Sequence, residues 1–325
     1  MQASVIGVDI GGTHTKIGLV NRAGQLSGYR SMPTDASGND PQPFLQRLFA
    51  HLDALIAEQA APLAGIGVSM HGELDDDERG TVLGLNTPSL IGVDMRGLLE
   101  QRYHTPVRIY NDLTAHTLGE YYFGCGQGAR RFMCLAVGTG LGAGVVVDGK
   151  PLLIDGGNAG NTGLIILDPD APVGPTGIKG AAEDLCGVAG IEHMARERYG
   201  RAVPAHEVIR AARDGDDVQA TAIMQQVGLY LGQTLASLSV IFYPHRIALT
   251  GGTTTAGEVL LSACRDQFET LVGQFFDDIA VLPGSHYRKA EIMLGEGGPN
   301  SGILGACVEL LGLSGASDGE VDRAT

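Results

Sequence analysis

The chain has 325 residues, of which 44% are hydrophobic and 18% charged, and its formal net charge is −15. This length is enough for two domains with a sizeable core. The acidic balance argues against a nucleic-acid partner, because phosphate backbones are bound by clustered Lys and Arg, and it argues equally against anionic membranes. The 49 glycines are about twice the average usage and indicate sharp turns or close approach of a ligand to the backbone.

The cysteines and the start of the chain indicate the compartment. Five cysteines are scattered, odd in number and never in Cys-x-x-Cys spacing, which favours free thiols in a reducing cytosol. The chain opens directly on a strand-like run, so no signal peptide is expected. No apolar stretch reaches the roughly 18 residues of a membrane helix. We therefore expect a cytoplasmic protein.

The first third of the chain predicts three strands joined by tight turns, followed by helices and further strands. The three strands are at residues 4–9, 15–21 and 25–30, with a glycine turn at 10–14. Apolar residues at helical spacing predict a helix over 40–59. The next elements are, in order, a strand at 64–69, an acidic loop around 75–77, a strand at 107–110 and a helix at 113–123.

The same order of elements restarts after Gly124. Strands at 132–137 and 143–147 flank a second glycine turn at 138–142. The later part is mostly helical, with a long helix over 217–240, a strand at 246–250 and a last helix at 301–311. Strands mixed with helices and hairpins predict an α/β fold with mixed sheets, and the doubled glycine hairpin indicates two related lobes around a cleft.

The two glycine turns are candidate phosphate sites. A glycine turn between hairpin strands leaves backbone N–H groups free to face an anion, with no Cβ in the way. Thr13 and Thr139 add hydroxyl donors, and Asp9 is placed to hold Mg²⁺ through water. Either turn taken alone is more typical of a tight hairpin with no ligand.

Asp112 is the candidate general base. It ends a predicted strand and precedes a helix, which is where open α/β sheets place their ligands. A carboxylate there can accept the proton of a hydroxyl that attacks phosphorus. A single Asp at this position is also typical of a helix N-cap, and Asn111 fits a cap or a turn as well.

Four motifs in the right order together resemble the ROK family of bacterial sugar kinases and repressors. They are Asp9-Ile10-Gly11-Gly12-Thr13-His14-Thr15-Lys16, Asn111-Asp112, Gly138-Thr139-Gly140-Leu141-Gly142-Ala143-Gly144 and Thr250-Gly251-Gly252. The resemblance implies a two-lobed hexokinase/actin-like (ribonuclease H-like) fold with ATP and Mg²⁺ in the interlobe cleft. It also implies transfer of the γ-phosphoryl group to a sugar hydroxyl.

The resemblance assigns a role to individual positions. Asp112 matches the base, and the positions matching sugar contacts are Gly72, Asn111, Asn161 and Glu183. The nucleotide-binding positions are Asp9, Gly11, Gly12, Thr13, Lys16, Gly138, Thr139, Gly140, Gly251 and Gly252. Relatives that bind DNA carry an N-terminal helix-turn-helix, and the start of this chain on its first strand favours the kinase branch.

The chain departs from the family pattern where relatives bind a structural zinc ion. The matching positions hold Leu164, Gly174, Thr176 and Ala181, none of which supplies a zinc ligand, so we expect no zinc. Packing of isoleucines is then expected to hold this loop. Asn161 stands where relatives have a sugar-contacting Glu, which indicates an acceptor other than glucose, such as a less common hexose or a cyclitol.

The expected organisation follows from the resemblance and the elements. An N-terminal lobe is predicted over 1–113, with a helix at 300–313 packing back on it, a C-terminal lobe over 114–299 and a disordered tail at 314–325. We also expect a homodimer. Two alternatives stay open: a sugar-binding or regulatory relative without catalysis, and an actin-like phosphotransferase of the acetate-kinase type.

Overall fold

The structure is a computed structural model that describes residues 4–59, 62–154 and 156–314. Their strands are β1 Ser4–Ile10, β2 His14–Val20, β3 Leu26–Pro33, β4 Leu63–Met70, β5 Glu73–Leu74, β6 Thr81–Leu83, β7 Val107–Asn111, β8 Arg131–Val137, β9 Leu141–Val147, β10 Lys150–Pro151, β11 Arg246–Thr250 and β12 Glu291–Leu294. Their α-helices are α1 Gln42–Ala57, α2 Met95–Tyr103, α3 Asp112–Phe123, α4 Ala182–Cys186, α5 Val188–Tyr199, α6 Ala205–Asp214, α7 Val218–Phe242, α8 Glu258–Phe268, α9 Gln274–Ala280 and α10 Ser301–Ala306.

The chain forms two compact units. Of the described residues, the first contains those up to Gly128, those within Gly144–Gly160 and those from Glu296 to Ser314. The second contains Ala129–Ala143 and Asn161–Gly295. The chain therefore passes from the second unit back to the first within β9.

The sheet of the first unit has the strand order β3-β2-β1-β4-β7. β1, β2 and β3 form antiparallel hairpins, whereas β4 pairs parallel with both β1 and β7. Side chains of β1 alternate between two apolar clusters, since Ile6 and Val8 pack with the buried face of α1 and Val5 packs with Ile303 and Cys307 near the C-terminus. Burial on both faces explains why β1 is almost uniformly apolar.

The second sheet repeats this order as β10-β9-β8-β11-β12. β9 and β10 are antiparallel, and β11 is parallel to both β8 and β12. The two sheets thus share a plan of hairpin strands on one side and parallel strands on the other. The predicted α/β class with mixed sheets is confirmed, as is the repeated pattern.

Several elements differ from the sequence prediction. The acidic loop contains the short hairpin β5–β6, in which Asp75 accepts from the N–H groups of Asp77 and Arg79. The last helix ends at Ala306, because the N–H groups of Cys307 and Val308 bond to carbonyls three residues back instead of four. The predicted tail beyond Ser314 lies outside the described residues.

No helix that the structure describes combines the length and the apolar character needed to cross a bilayer.

Candidate active site

The parallel strands of the first sheet end together. Ile10 of β1 pairs with Met70 of β4, and Met70 pairs with Asn111 of β7. The residues that follow these strands therefore meet at the carboxyl edge of the sheet, where open α/β sheets bind ligands. This edge brings together the predicted glycine turn after β1, Gly72 after β4 and Asp112 after β7.

The glycine turn between β1 and β2 is held by one buried threonine. The Gly11 N–H donates to the His14 carbonyl (3.1 Å), and the Thr34 hydroxyl donates to the Gly11 carbonyl (2.7 Å). The Thr34 N–H donates to the Thr13 carbonyl (2.9 Å). Gly12 and Thr13 themselves are exposed. Thr34 lies outside every motif, and only its tertiary position identifies it.

Asp9 and Lys16 contact each other beside this turn. Asp9 is 4% exposed, and its Oδ1 accepts from the Ser69 hydroxyl (2.8 Å). The Lys16 ammonium lies 3.4 Å from Oδ2 of Asp9 and donates to the Pro299 carbonyl (2.7 Å). The predicted nucleotide residue Lys16 thus has protein partners, and Asp9 offers oxygen ligands of the kind that Mg²⁺ prefers.

Asp112 is the first residue of α3 and lies against a histidine. Its Oδ2 is 2.9 Å from Nδ1 of His71, and its Oδ1 accepts from the N–H of Leu113 (2.9 Å). The side chains of Asp112 and His71 are 33% and 31% exposed, so a ligand can reach both. The hydrogen bond to Asp112 raises the pKa of His71, against the effect of burial, and the negative charge of Asp112 adds to the rise. Sequence reasoning did not identify His71.

Asn111 is the N-cap of α3 and is only 5% exposed. Its Oδ1 accepts from the N–H groups of Leu113 and Thr114, and its Nδ2 donates to the Gly72 carbonyl (2.7 Å). Gly72 has φ +105°, and a Cβ there would lie 1.9 Å from the Leu83 carbonyl oxygen. The alternative prediction that Asn111 caps a helix is therefore confirmed. For its predicted contact with a sugar, the side chain has one remaining amide hydrogen to donate.

In the second unit, the turn after β8 lies beside two other glycines. The Gly138 N–H donates to the Gly140 carbonyl (2.9 Å), and the Gly138 carbonyl accepts from the N–H of Val188 at the start of α5 (3.0 Å). Gly251 has φ +94°, and a Cβ there would lie 2.3 Å from the Val137 carbonyl. The predicted nucleotide positions of this unit, which are Gly138, Thr139, Gly140, Gly251 and Gly252, thus meet at the carboxyl ends of β8 and β11.

Glu183 lies against the same turn. Its Oε2 accepts from the N–H of Leu141 (2.9 Å), and a Cβ at Gly140 would lie 2.7 Å from that oxygen. Asn161 is exposed and precedes the short 3₁₀ helix Thr162–Leu164. That helix is fixed to β9, because the Thr162 hydroxyl accepts from the N–H of Ala143 (2.7 Å).

The loop that replaces the zinc segment is held by a carboxylate. Asp184 accepts from both the backbone N–H (3.1 Å) and the hydroxyl (2.5 Å) of Thr176. The expected isoleucine packing is only partial, since Ile166 is 58% exposed. The residues at the zinc positions do not fit a metal ion. The side chains of Leu164, Gly174 and Ala181 have no atom that can coordinate zinc, and the Thr176 hydroxyl is hydrogen-bonded to Asp184. Across the described residues no group of three or more His, Cys, Asp or Glu is arranged to hold a metal ion.

The sequence is similar to that of one protein family and of several characterised relatives. The sequence model of the ROK family matches residues 5–308. The chain is 28% identical to a glucokinase of Thermotoga maritima over 89% of this chain and 98% of the glucokinase. It is 27% identical to a xylose repressor of Caldicellulosiruptor bescii over 84% of this chain and 72% of the repressor.

A solved structure extends this likeness to the fold. It is the ROK family glucokinase from Streptomyces griseus in complex with glucose and AMPPNP, with a TM-score of 0.72 at 25% identity, covering 94% of this chain and 98% of that one. The hexokinase/actin-like fold expected from the motifs is thereby confirmed.

Proposed function

Because the chain belongs to the ROK family, we propose that it is an ATP-dependent sugar kinase in which Asp112 is the general base. The observation that carries this proposal is the position of Asp112. Its carboxylate lies at the same sheet edge as the Gly11-Gly12-Thr13 turn, with each oxygen held by one hydrogen bond. Similarity to glucokinases supports the same reaction class.

Asp112 supplies the proton acceptor that phosphoryl transfer to an alcohol requires. A sugar hydroxyl is a weak acid, and its attack on the γ-phosphorus is assisted by a positioned carboxylate. A carboxylate oxygen has two acceptor sites, and in Asp112 the Leu113 N–H and the His71 ring nitrogen occupy one site on each oxygen. The remaining sites, on a side chain that is one-third exposed, can accept the hydroxyl proton.

The glycine turns supply the nucleotide contacts in this proposal. Backbone N–H groups and the exposed hydroxyls of Thr13 and Thr139 suit phosphate oxygens. Mg²⁺ bound with the nucleotide would neutralise phosphate charge, and Asp9 is the carboxylate placed to hold it through water. The bound AMPPNP in the Streptomyces griseus glucokinase supports ATP as the donor.

The acceptor is proposed to be a polyol other than glucose. Asn161 both donates and accepts hydrogen bonds, whereas the Glu that the family resemblance expects there only accepts. Leu164 adds an apolar side chain where the same resemblance expects a histidine. With these two side chains, a less common hexose or a cyclitol is a better match than glucose.

A second candidate function is sugar binding without catalysis. The specific observation that favours it is the likeness to a xylose repressor, at 27% identity over most of this chain. This function predicts sugar binding with no consumption of ATP.

The test is a panel of hexoses, deoxyhexoses and cyclitols, incubated with the purified protein, ATP and Mg²⁺. Formation of ADP and of a phosphorylated product, followed by ³¹P NMR, is the expected result for at least one acceptor. Binding of a sugar by calorimetry with no ADP formed from any acceptor would support the second candidate and contradict the kinase.

A further inference from the structure

The candidate base and the first glycine turn are linked by two side chains that no motif includes. Nδ1 of His71 lies 2.9 Å from Oδ2 of Asp112, and the amide nitrogen of Asn86 lies 3.1 Å from Nε2 of His71. Asn86 in turn lies against Gly12, where a Cβ would come within 2.7 Å of the Asn86 Cβ. A continuous set of contacts therefore runs from Gly12 through Asn86 and His71 to Asp112, all within the first unit.

This arrangement defines the hydrogen that His71 presents to the carboxylate. With the Asn86 amide nitrogen donating to Nε2, the imidazole is neutral and carries its hydrogen on Nδ1, which donates to Asp112. A second proton on Nε2 makes the ring cationic and requires the Asn86 amide to turn its oxygen toward His71. Both states keep the Nδ1–H donor on Asp112, and they differ in the charge beside the base.

The charged groups around His71 favour that second proton. On α3, Asp112 is the group whose hydrogen bond and charge raise the pKa of His71, and burial opposes the rise. From the loop after β6, Asn86 contributes an uncharged amide. No other charged side chain of the described residues adds to the shift.

We propose that His71 is a positioning residue for Asp112, fixing the carboxylate through Nδ1 and setting, by the proton on its Nε2, the pH range in which Asp112 acts as a base. This proposal rests on the proposed function, because it takes Asp112 as the base. A cationic imidazole stabilises the carboxylate and weakens it as a proton acceptor. Release of the Nε2 proton restores its basicity while the Nδ1 hydrogen bond keeps its orientation.

Two substitutions separate the roles of the ring nitrogens. His71→Asn places an amide nitrogen near the position of Nδ1 and cannot become charged. His71→Gln places its amide near the position of Nε2 and removes the donor to Asp112. The control is His193→Gln, the same change at a histidine that is 56% exposed on α5.

We expect His71→Gln to lower kcat about tenfold or more with little change in KM, the size of effect of losing a hydrogen bond to a charged group. His71→Asn is expected to turn over about tenfold faster than His71→Gln. In wild type we expect the acid limb of kcat/KM to follow release of the His71 proton, whose pKa the hydrogen bond to Asp112 raises. In His71→Asn the limb moves to lower pH, because asparagine holds no proton that is released at this position.

A measurement on the free protein tests the pair without a substrate. The imidazole of His71, assigned in ¹⁵N NMR spectra by its absence from His71→Gln, is titrated in wild type and in Asp112→Asn. We expect its midpoint to fall in Asp112→Asn. The same midpoint in both proteins overturns the proposed coupling.

The kinetic outcomes separate this inference from the proposed function. If Asp112→Asn keeps wild-type turnover, Asp112 is not the base and the proposed function fails on its own. If Asp112→Asn is inactive while His71→Gln has the kcat and pH profile of wild type, only the role of His71 is wrong. Equal loss in both His71 variants with an unchanged pH profile is the third contradicting result, because a purely structural histidine gives it.

Discussion

The side-chain amide of Asn111 donates to the Gly72 carbonyl across 2.7 Å, so the start of α3 is tied to the glycine that follows β4. The same side chain caps α3 through its Oδ1. One buried residue thereby sets both the direction of the helix that carries Asp112 and the path of the chain at Gly72.

Replacing Asn111 separates these two tasks. Asn111→Ala removes the cap and the Gly72 contact, and we expect it to lower the free energy of unfolding by about 1–3 kcal/mol. Asn111→Ser restores a capping oxygen without the bond to Gly72 and should recover part of the loss. Thermal denaturation of the three proteins is the measurement, and equal stability of wild type and Asn111→Ala contradicts this account.

Two hydrogen bonds between Asp184 and Thr176 hold the loop that replaces the zinc segment, and their removal should destabilise the protein. Asp184→Ala leaves the Thr176 N–H and hydroxyl without their partner, and we expect a loss of about 1–3 kcal/mol of stability. Thr176→Val removes the hydroxyl alone and should cost less.

Treatment with EDTA should leave the Tm of wild type unchanged. About one zinc ion per chain by elemental analysis would mean that a metal, not Asp184, holds the loop.

Asn161 predicts the preference among acceptors. Asn161→Glu restores the carboxylate that the family resemblance expects, and it should shift kcat/KM toward glucose by about tenfold, the value of one hydrogen bond to a charged group. Asn161→Gln, which changes length without adding charge, is the matched control. A wild-type enzyme that prefers glucose over every other acceptor contradicts the proposed effect of Asn161 on acceptor choice.

His245 predicts a loss of stability in mild acid. Burial lowers the pKa of His245 to about 4, and the nearby charge of Arg131 adds to the effect. As pH falls, the unfolded chain therefore binds this proton at a higher pH than the folded chain does. The contribution of neutral His245 to the free energy of unfolding is fully present above pH of about 6.5 and is lost as pH falls toward 4. Because the side chain is partly exposed, we expect about 1–2 kcal/mol rather than the full value of the shift.

The control for this pH dependence is His245→Gln. The amide oxygen of glutamine can still accept from Arg131, whose guanidinium lies 3.0 Å from Nε2 of His245. Because glutamine does not titrate, the fall in Tm between pH 7 and pH 5 should be smaller than in wild type. An equal fall in both proteins assigns the acid sensitivity to other groups.

The sequence predicted those parts of the site that are local in the chain. The glycine turn after β1 and the pair Asn111-Asp112 follow apolar runs directly, so motif and spacing were sufficient to find them. Thr34 and Asn86 reach the same edge only through the tertiary structure. His71 directly follows β4, but nothing in the sequence marks its side chain as a partner of Asp112.

The loop around Thr176 and Asp184 shows a second limit. The missing zinc ligands were evident from spacing, and isoleucine packing was the natural substitute for a metal. No sequence motif marks Asp184 as a residue that holds the loop. Its two hydrogen bonds to Thr176 depend on how the loop returns to α4. The last helix was overestimated for a related reason, since its apolar spacing continues after the hydrogen bonding has changed.

Turnover by Asp112→Asn tests the central assignment most directly. Asparagine keeps the size of the side chain and an acceptor for the Leu113 N–H, but it cannot take up the hydroxyl proton. The control Asp76→Asn makes the same change at an exposed position of the acidic loop. With the best acceptor of the panel, we predict that kcat of Asp112→Asn falls by about 10²–10⁴ while its Tm stays near that of Asp76→Asn. Wild-type turnover by folded Asp112→Asn would contradict the account.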